Sequence, residues 1–226
     1  MTTDDKRFTT PLYTITEAAQ HLGLKPSTFQ AWTRGRAGRP PVIHTPRVEG
    51  RSASITFIDL AQGHVLAAFR RAGVSMQKIR PALDKLDKEM GLHHALASQN
   101  LMTDGVEVLF DYAERTGNND VRQLVVVRDG QHVFREVIED YLKLVTFGED
   151  GYAAVIELPA YGDAHVVADP GRAFGQPVFD KAGTRVEDVI DRFYAGDSIS
   201  TVAREFGVSS EQVEAAIRVG RLAAAA

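Results

Sequence analysis

The sequence contains no cysteine among its 226 residues. Disulfide bonds, thiolate metal sites and cysteine nucleophiles are therefore excluded together, and the composition suits a reducing compartment. Long apolar runs are also missing, since no stretch approaches the roughly 18 consecutive apolar residues that a membrane-spanning helix needs. The first ten residues contain no apolar run either, so we expect no signal peptide. Together these absences predict a cytoplasmic protein.

The sequence also lacks the common signatures of catalysis, namely phosphate-binding glycine loops, the zinc motif HExxH and the nucleophile motif GxSxG. His93 and His94 have no third ligand at metal spacing, so we expect them at the surface. A magnesium site is conceivable at four acidic residues, although acids on an exposed helix face are usually solvated: Asp180, Glu187, Asp188 and Asp191. We therefore predict a protein that is not an enzyme, with no catalytic residue, metal or cofactor.

Charge is distributed unevenly along the chain. The net charge is −4, yet residues 1–91 hold 14 basic and 8 acidic side chains, and the remaining residues hold 12 and 22. A basic N-terminal part on an acidic body is expected when only that part meets phosphate. The charge pattern therefore predicts that residues 1–91 bind nucleic acid.

The N-terminal part has the pattern of a helix-turn-helix. A short helix is predicted from Thr16, as its N-cap, to Leu22, and Gly23 ends it. A second helix opens at Pro26, and its Phe29 and Trp32, spaced i, i+3, are predicted to lie in the core. Two short helices joined by a turn with glycine are typical of DNA-binding proteins.

The segment after these helices is rich in proline, glycine and arginine, from Arg36 to Arg51. Residues 54–57 alternate like a strand, and residues 42–44 are its expected partner in a β-hairpin, the wing. Asp59 is predicted to cap a helix that runs to Arg71, and Ser75 to cap another that Pro81 kinks or shifts. We predict that the second helix and the wing contact DNA through Lys25, Ser27, Thr28, Gln30, Arg34, Arg36, Arg39, Arg47 and Arg51.

The rest of the chain divides into a middle section, 92–164, and a C-terminal module, 165–226. In the middle section Asp129–Gly130 indicates a short hairpin, and residues 152–158 indicate a further strand. The C-terminal module is predicted to hold a helix over residues 186–194, a second capped by Ser198 or Ser200, and a third capped by Ser209. The predicted fold class is α+β, mainly helical, with a winged helix-turn-helix, a small antiparallel sheet and a C-terminal helix-turn-helix-like module.

The N-terminal residues resemble the MerR-type winged helix. The resemblance covers about 75 residues and rests on the runs 13–19, 22–24 and 27–29, and on 72–79 after the predicted strand and helix. It implies homodimers that bind palindromic operators in double-stranded DNA. The sequence departs from the family pattern at Gln30 and at Ile55–Thr56, where the family usually has arginine.

Four short segments of the C-terminal module resemble the family known as domain of unknown function four-three-three, within a stretch of about 55 residues. They are residues 165–170, 175–178, 183–186 and 196–199. Members of this family are regarded as antitoxins paired with PIN-like ribonuclease toxins, and a DNA-binding head on such a module is similar to long VapB-type antitoxins of actinobacteria. Arg185, which can also pair with Asp188, and Arg218 are the expected contacts to the toxin.

The sequence thus predicts a homodimeric antitoxin that neutralises a PIN-like toxin and represses its own promoter. One alternative is a MerR-like regulator without a toxin, whose middle section holds a small-molecule ligand. Another is an adaptor with two protein-binding helical modules and no DNA contact. A neighbouring toxin gene favours the first, and a stabilising metabolite favours the second.

Overall fold

The structure is a computed structural model. It describes residues 5–36, 38–46, 54–74, 76–90, 94–101, 139–141 and 143–224. Residues outside these ranges include Arg47, Arg51, His93 and the predicted Asp129–Gly130 hairpin, so those predictions lie outside the described residues.

Helices account for most of the described chain, which confirms the mainly helical α+β class. The α-helices are α1 (Lys6–Thr9), α2 (Ile15–His21), α3 (Pro26–Thr33), α4 (Phe57–Arg71), α5 (Met76–Met90), α6 (Val186–Tyr194), α7 (Ile199–Phe206) and α8 (Ser210–Ala224). The 3-10 segments are Ala95–Ala97, Pro159–Ala164 and Ala173–Gly175. The strands are β1 (Val145–Phe147), β2 (Ala153–Glu157), β3 (Val166–Ala168) and β4 (Val178–Phe179).

The strands form one small sheet in the order β1-β2-β3-β4. β2 and β3 are antiparallel with Ile156 opposite Ala168, and β3 and β4 are antiparallel with Val167 opposite Val178. All three residues of β3 are buried, as expected for a strand between two neighbours. β2 lies within the strand predicted at 152–158, whereas β3 and β4 occupy the glycine- and proline-rich entry to the C-terminal module.

The chain folds into two compact units. The first, which we call the head unit, comprises residues 1–60 and 154–226, and the second, the middle unit, comprises residues 61–153. The predicted DNA-binding helices and the C-terminal module therefore belong to the same unit. Within it, α8 packs against α2, and Gln20 of α2 donates a hydrogen bond from Nε2 to the carbonyl of Val219 at 3.0 Å.

Helix starts follow local capping chemistry. The Thr14 side chain accepts a hydrogen bond from the Glu17 amide, and the Glu17 carboxylate accepts one from the Thr14 amide. This reciprocal capping box starts α2 at Ile15, so the prediction of Thr16 as N-cap was wrong by two residues. Ser198 and Ser209 cap α7 and α8 as predicted, since each hydroxyl accepts from the amide three residues later.

The helix α4 begins earlier than predicted, at Phe57. The Thr56 hydroxyl accepts from the Asp59 amide at 3.2 Å, and the Asp59 carboxylate accepts from the Thr56 amide at 3.0 Å. Asp59 is therefore the third residue of the helix rather than its N-cap. Pro81 lies inside α5, which runs through it from Met76 to Met90.

The strand pairing expected for the wing is also different. Ile55 forms an antiparallel bridge with Tyr13 rather than with residues 42–44. The amides of Val42 and Ile43 instead donate to the carbonyl of Trp32, at 2.7 and 3.0 Å. Because Ile43 and Ile55 are both buried, each segment is held by its own apolar side chain against the helix core.

Candidate nucleic-acid interface

The interface is built on the turn between α2 and α3. Gly23 has φ of +66°, the left-handed conformation that ends a helix and that glycine adopts without strain. The inner faces of both helices are fully buried, and Phe29 and Trp32 pack edge to face with ring centroids 6.2 Å apart. The prediction that these two aromatic residues lie in the core is confirmed.

The outer face of α3 is polar and exposed. Ser27, Gln30 and Arg34 are spaced i, i+3, i+7 and all are exposed, so they form one row along the helix. Lys25 is the exposed N-cap residue, and Thr28 is half-buried at the side of the row. A recognition helix presents short polar side chains to base edges from its first turns, which is the arrangement found here.

A tight turn carrying two arginines follows α3. Arg36 and Arg39 pair antiparallel through two backbone hydrogen bonds of 3.0 and 2.7 Å, and both side chains are exposed. Gly35 has φ of +77°, and a Cβ there would lie 2.6 Å from the Arg39 carbonyl oxygen. Only glycine fits at that position, so the backbone itself fixes where the two guanidinium groups begin.

The positively charged side chains of this surface are available to bind an anion. Within the described residues, no acidic side chain forms an ion pair with Lys25, Arg34, Arg36 or Arg39. By contrast, several arginines of the C-terminal module are bound to carboxylates. The structure therefore brings five of the predicted DNA-contact residues onto α3 or its two cap positions and two onto the adjacent turn, while Arg47 and Arg51 lie outside the described residues.

Buried polar contacts connect the N-terminal residues of the head unit to residues 161 and 175 of its later part. His21 Nδ1 lies 3.0 Å from the Tyr161 hydroxyl, and His21 packs edge to face against Tyr13 at 5.9 Å. Burial lowers the pKa of His21 to about 4, so this imidazole is neutral at pH 7. The Tyr13 hydroxyl donates to the Gly175 carbonyl, and α2 is thereby held by buried polar contacts.

The two predicted partner-binding arginines have different surroundings. Arg185 is the N-cap of α6, where its Nε donates to Asp188 at 3.0 Å, and this pair agrees with the sequence prediction. The Asp188 hydrogen bond raises the pKa of Arg185, while the Arg185 hydrogen bond lowers the pKa of Asp188. Arg218 is exposed on α8.

Sequence reasoning missed Phe174 of the C-terminal module. Its side chain is 90% exposed, and it lies in a turn where Ala173, Phe174 and Gly175 all have positive φ. Backbone strain in non-glycine residues concentrates at functional sites because the surrounding structure must maintain it. In the sequence Phe174 is a phenylalanine followed by a glycine, and this pattern does not indicate whether its side chain is exposed.

Among the described residues, no three side chains of the metal-binding types lie close enough to hold an ion, which includes the acidic cluster around α6. No helix in those ranges has the length and apolarity needed to cross a bilayer.

Two families match the chain. Residues 11–83 match the family described as "Putative DNA-binding HTH domain", and residues 166–218 match "Protein of unknown function (DUF433)". A curated protein named "Putative antitoxin VapB45", from Mycobacterium tuberculosis, is 46% identical over 93% of this chain and 94% of its own length. The chain belongs to the VapB45 family. It therefore combines a DNA-binding helix-turn-helix with an antitoxin-family architecture, as the sequence predicted.

Two other comparisons also match proteins of Mycobacterium tuberculosis. The protein named "Uncharacterized protein Rv2308" is 28% identical over 95% of this chain and 94% of its own. The crystal structure of Rv2018 is 47% identical, with a TM-score of 0.79, over 93% of this chain and 99% of that one. Both matches extend over nearly the whole chain, and the solved structure shares its fold.

Proposed function

We propose that the protein is an antitoxin that represses its own promoter as a homodimer and neutralises a PIN-like ribonuclease toxin. The observation that carries the DNA-binding half is the exposed row Ser27, Gln30 and Arg34 beside Arg36 and Arg39, whose exposed side chains form no ion pair with any described residue. Family membership supports the antitoxin half.

The DNA contacts follow from side-chain chemistry. The first turns of α3 enter the major groove, where Gln30 can pair with adenine through two hydrogen bonds. Arg34, Arg36 and Arg39 bind phosphates, which fixes the register of the helix without reading sequence. A two-fold dimer places two such helices about one DNA turn apart, so the operator has two half-sites with that spacing. Bound promoter DNA is then closed to polymerase.

Fluorescence anisotropy on the upstream DNA tests this proposal. Replacing Arg34, Arg36 and Arg39 together with Ala should weaken binding and reduce the slope of log K against log salt by about 0.9 for each phosphate that the variant no longer neutralises. The matched control replaces Arg204, Arg218 and Arg221, three exposed arginines of the C-terminal module, and should keep the slope. Equal slopes in both triple variants, or equal affinity for scrambled DNA, would contradict the operator proposal.

A single substitution on α3 separates base reading from phosphate binding. Gln30→Ala should lower affinity for the operator more than for scrambled DNA and leave the salt slope unchanged, because glutamine carries no charge. A decrease that is equal on both DNAs would remove Gln30 from base recognition.

Binding of the toxin is proposed for the C-terminal module. Phe174 can insert into an apolar pocket of the partner, since an exposed aromatic side chain gains most of its burial on association. Arg218 is free to approach acidic groups such as those around a nuclease metal site. Arg185 must leave Asp188 to do the same, so we expect its contribution to be smaller.

Co-expression with a PIN-like protein encoded beside this gene tests the second half. Phe174→Ala should reduce co-purification and restore ribonuclease activity, while Tyr194→Ala, at another exposed aromatic residue of the module, serves as the matched control. A Phe174 variant that still inhibits the nuclease fully would remove this contact, and absence of any complex with wild-type protein would remove the toxin itself.

A further inference from the structure

The middle unit contains a cavity that the DNA-binding and antitoxin roles do not use. Its volume is about 250 Å³, and it is lined by His64, Ala68, Arg71 and Ala72 of α4 together with Asp140, Tyr141 and Leu144. At about 30 Å³ for each water molecule, this is room for roughly eight waters or a ligand of similar size. Arg71, Ala72 and Asp140 are exposed, so the cavity opens toward solvent on their side.

Two buried polar side chains line the floor of this cavity without partners. His64 and Tyr141 are each 1% exposed, with ring centroids 5.0 Å apart. In the part of the chain that the structure describes, neither nitrogen of His64 nor the Tyr141 hydroxyl has a hydrogen-bond partner. Buried polar groups are nearly always hydrogen-bonded, because leaving one unpaired costs the free energy of its lost hydration. Because these three atoms are themselves shielded from solvent, a polar group in the cavity bonds to them only when the two rings rotate toward it.

The protonation state of His64 determines which polar groups of a ligand it can bind. Burial, and secondarily the positive charge of Arg71, lower the pKa of His64 to about 3. The imidazole is thus neutral at pH 7 and offers one donor and one acceptor, and Tyr141 offers a hydroxyl. Burial also raises the pKa of Tyr141, which keeps that hydroxyl protonated.

Charge at the mouth of the cavity is positive. Arg71 forms no ion pair with any described residue, whereas the neighbouring Asp140 is bound to Lys143 at 2.8 Å. Asp140 thus has its partner in Lys143, and the guanidinium of Arg71 is left to bind an anion. The other described residues of the lining, Ala68, Ala72 and Leu144, are apolar.

We propose that this cavity is a binding site for a small monocarboxylate with a short apolar body. The carboxylate lies between the Arg71 guanidinium and the donors of His64 and Tyr141, and the apolar body lies against Ala68, Ala72 and Leu144. A carboxylate accepts several hydrogen bonds. One carboxylate can therefore accept from His64 and Tyr141 and also form an ion pair with Arg71. This proposal is independent of the toxin and operator proposals, because none of its residues belongs to the head unit.

Fluorine NMR on the full-length protein provides the test. The probes are 4,4,4-trifluorobutyrate and its neutral isostere 4,4,4-trifluorobutyramide, each with nine non-hydrogen atoms. We expect saturable line broadening of the acid with a Kd of about 1 mM or tighter, and binding of the amide at least tenfold weaker. Arg71→Ala should weaken binding of the acid at least tenfold, and its neighbour Arg70→Ala, outside the cavity lining, should leave it unchanged.

The outcomes decide the proposal in either direction. Because Arg71 is exposed, its variant should fold, and circular dichroism verifies this before titration. A tenfold loss confined to Arg71→Ala and to the amide supports a carboxylate site. No saturable binding up to 20 mM, equal binding of acid and amide, or equal effects of the two arginine variants overturns it, and the cavity then holds water only.

Discussion

Acidification is expected to destabilise the head unit through His21. The imidazole is buried, lies 3.0 Å from the Tyr161 hydroxyl and has a pKa lowered from 6.5 to about 4, chiefly by desolvation. The unfolded chain therefore binds more protons than the folded chain between pH 6.5 and 4. The contribution of His21 to the free energy of unfolding is fully present above pH 6.5 and is lost as the pH falls toward 4.

The size of the effect follows from the two pKa values. For one group that titrates at 6.5 when unfolded and at about 4 when folded, the free energy of unfolding falls by about 2 kcal/mol between pH 7 and pH 5. Asp59 acts in the opposite direction, because burial raises its pKa to about 6 and its protonated form favours the folded state. Over the same interval it adds about 1 kcal/mol, so the net effect of these two groups on the wild-type protein is a loss of about 0.5–1 kcal/mol.

A substitution makes the contribution of His21 visible. His21→Gln retains a hydrogen-bonding group for Tyr161 but does not titrate, so its stability relative to wild type should rise by about 2 kcal/mol from pH 7 to pH 5. Taking this difference cancels Asp59 and every other group that both proteins share. Trp32 is the single tryptophan and is 3% exposed in the same unit, so its fluorescence in urea reports the transition directly.

His44→Gln is the matched control, since His44 is an exposed histidine of the same unit. It should follow the wild-type stability at both pH values. If the difference between His21→Gln and wild type stays constant within about 0.5 kcal/mol, the imidazole is protonated at similar pH in both states and the reasoning from burial fails.

Three further predictions concern stability alone. Gly175→Ala should destabilise the head unit by about 1–3 kcal/mol, because φ is +83° and the new Cβ would lie 2.6 Å from Leu12 Cδ1; urea titration with an unchanged midpoint would contradict this. Ser198→Ala should cost about 1 kcal/mol through the lost N-cap of α7, while Ser200→Ala should cost less than about 0.5 kcal/mol, and equal thermal shifts would reject the assignment of the cap. Tyr141→Phe should be neutral or slightly stabilising, since it removes an unpartnered buried hydroxyl, whereas a loss above about 1 kcal/mol would mean that the hydroxyl is bonded.

Local features of the fold could be predicted because their causes are local in sequence. Ser198 and Ser209 cap their helices through hydrogen bonds to amides three residues away, and α6 spans the predicted residues 186–194. The same capping chemistry, applied to Thr14, would have predicted the correct start of α2. Thr14 has Glu17 three residues later and completes a capping box, whereas Thr16 has Ala19 at that distance.

Contacts between distant residues could not be predicted. His21 and Tyr161 are 140 positions apart, and nothing in either local pattern indicates the other. Ile55 pairs with Tyr13 instead of the nearer residues 42–44, because the Trp32 carbonyl already accepts from Val42 and Ile43. Only part of the candidate sites could be predicted in the same way. The polar row of α3 follows from helical spacing in the sequence, whereas the exposure of Phe174 and the cavity at His64 depend on tertiary packing.

The packing of α8 distinguishes the two helix-turn-helix patterns structurally. In the C-terminal pattern α8 occupies the place of a recognition helix, yet it packs against α2 and the 3-10 segment Pro159–Ala164, with Val213 and Ala216 fully buried. The first turns of its outer face carry the exposed carboxylates Glu211 and Glu214. Carboxylates facing phosphate repel it, and the lysine and arginine contacts that release counterions are absent there. The polar row of α3, by contrast, is exposed, so the proposed function assigns DNA contact to α3 and not to α8.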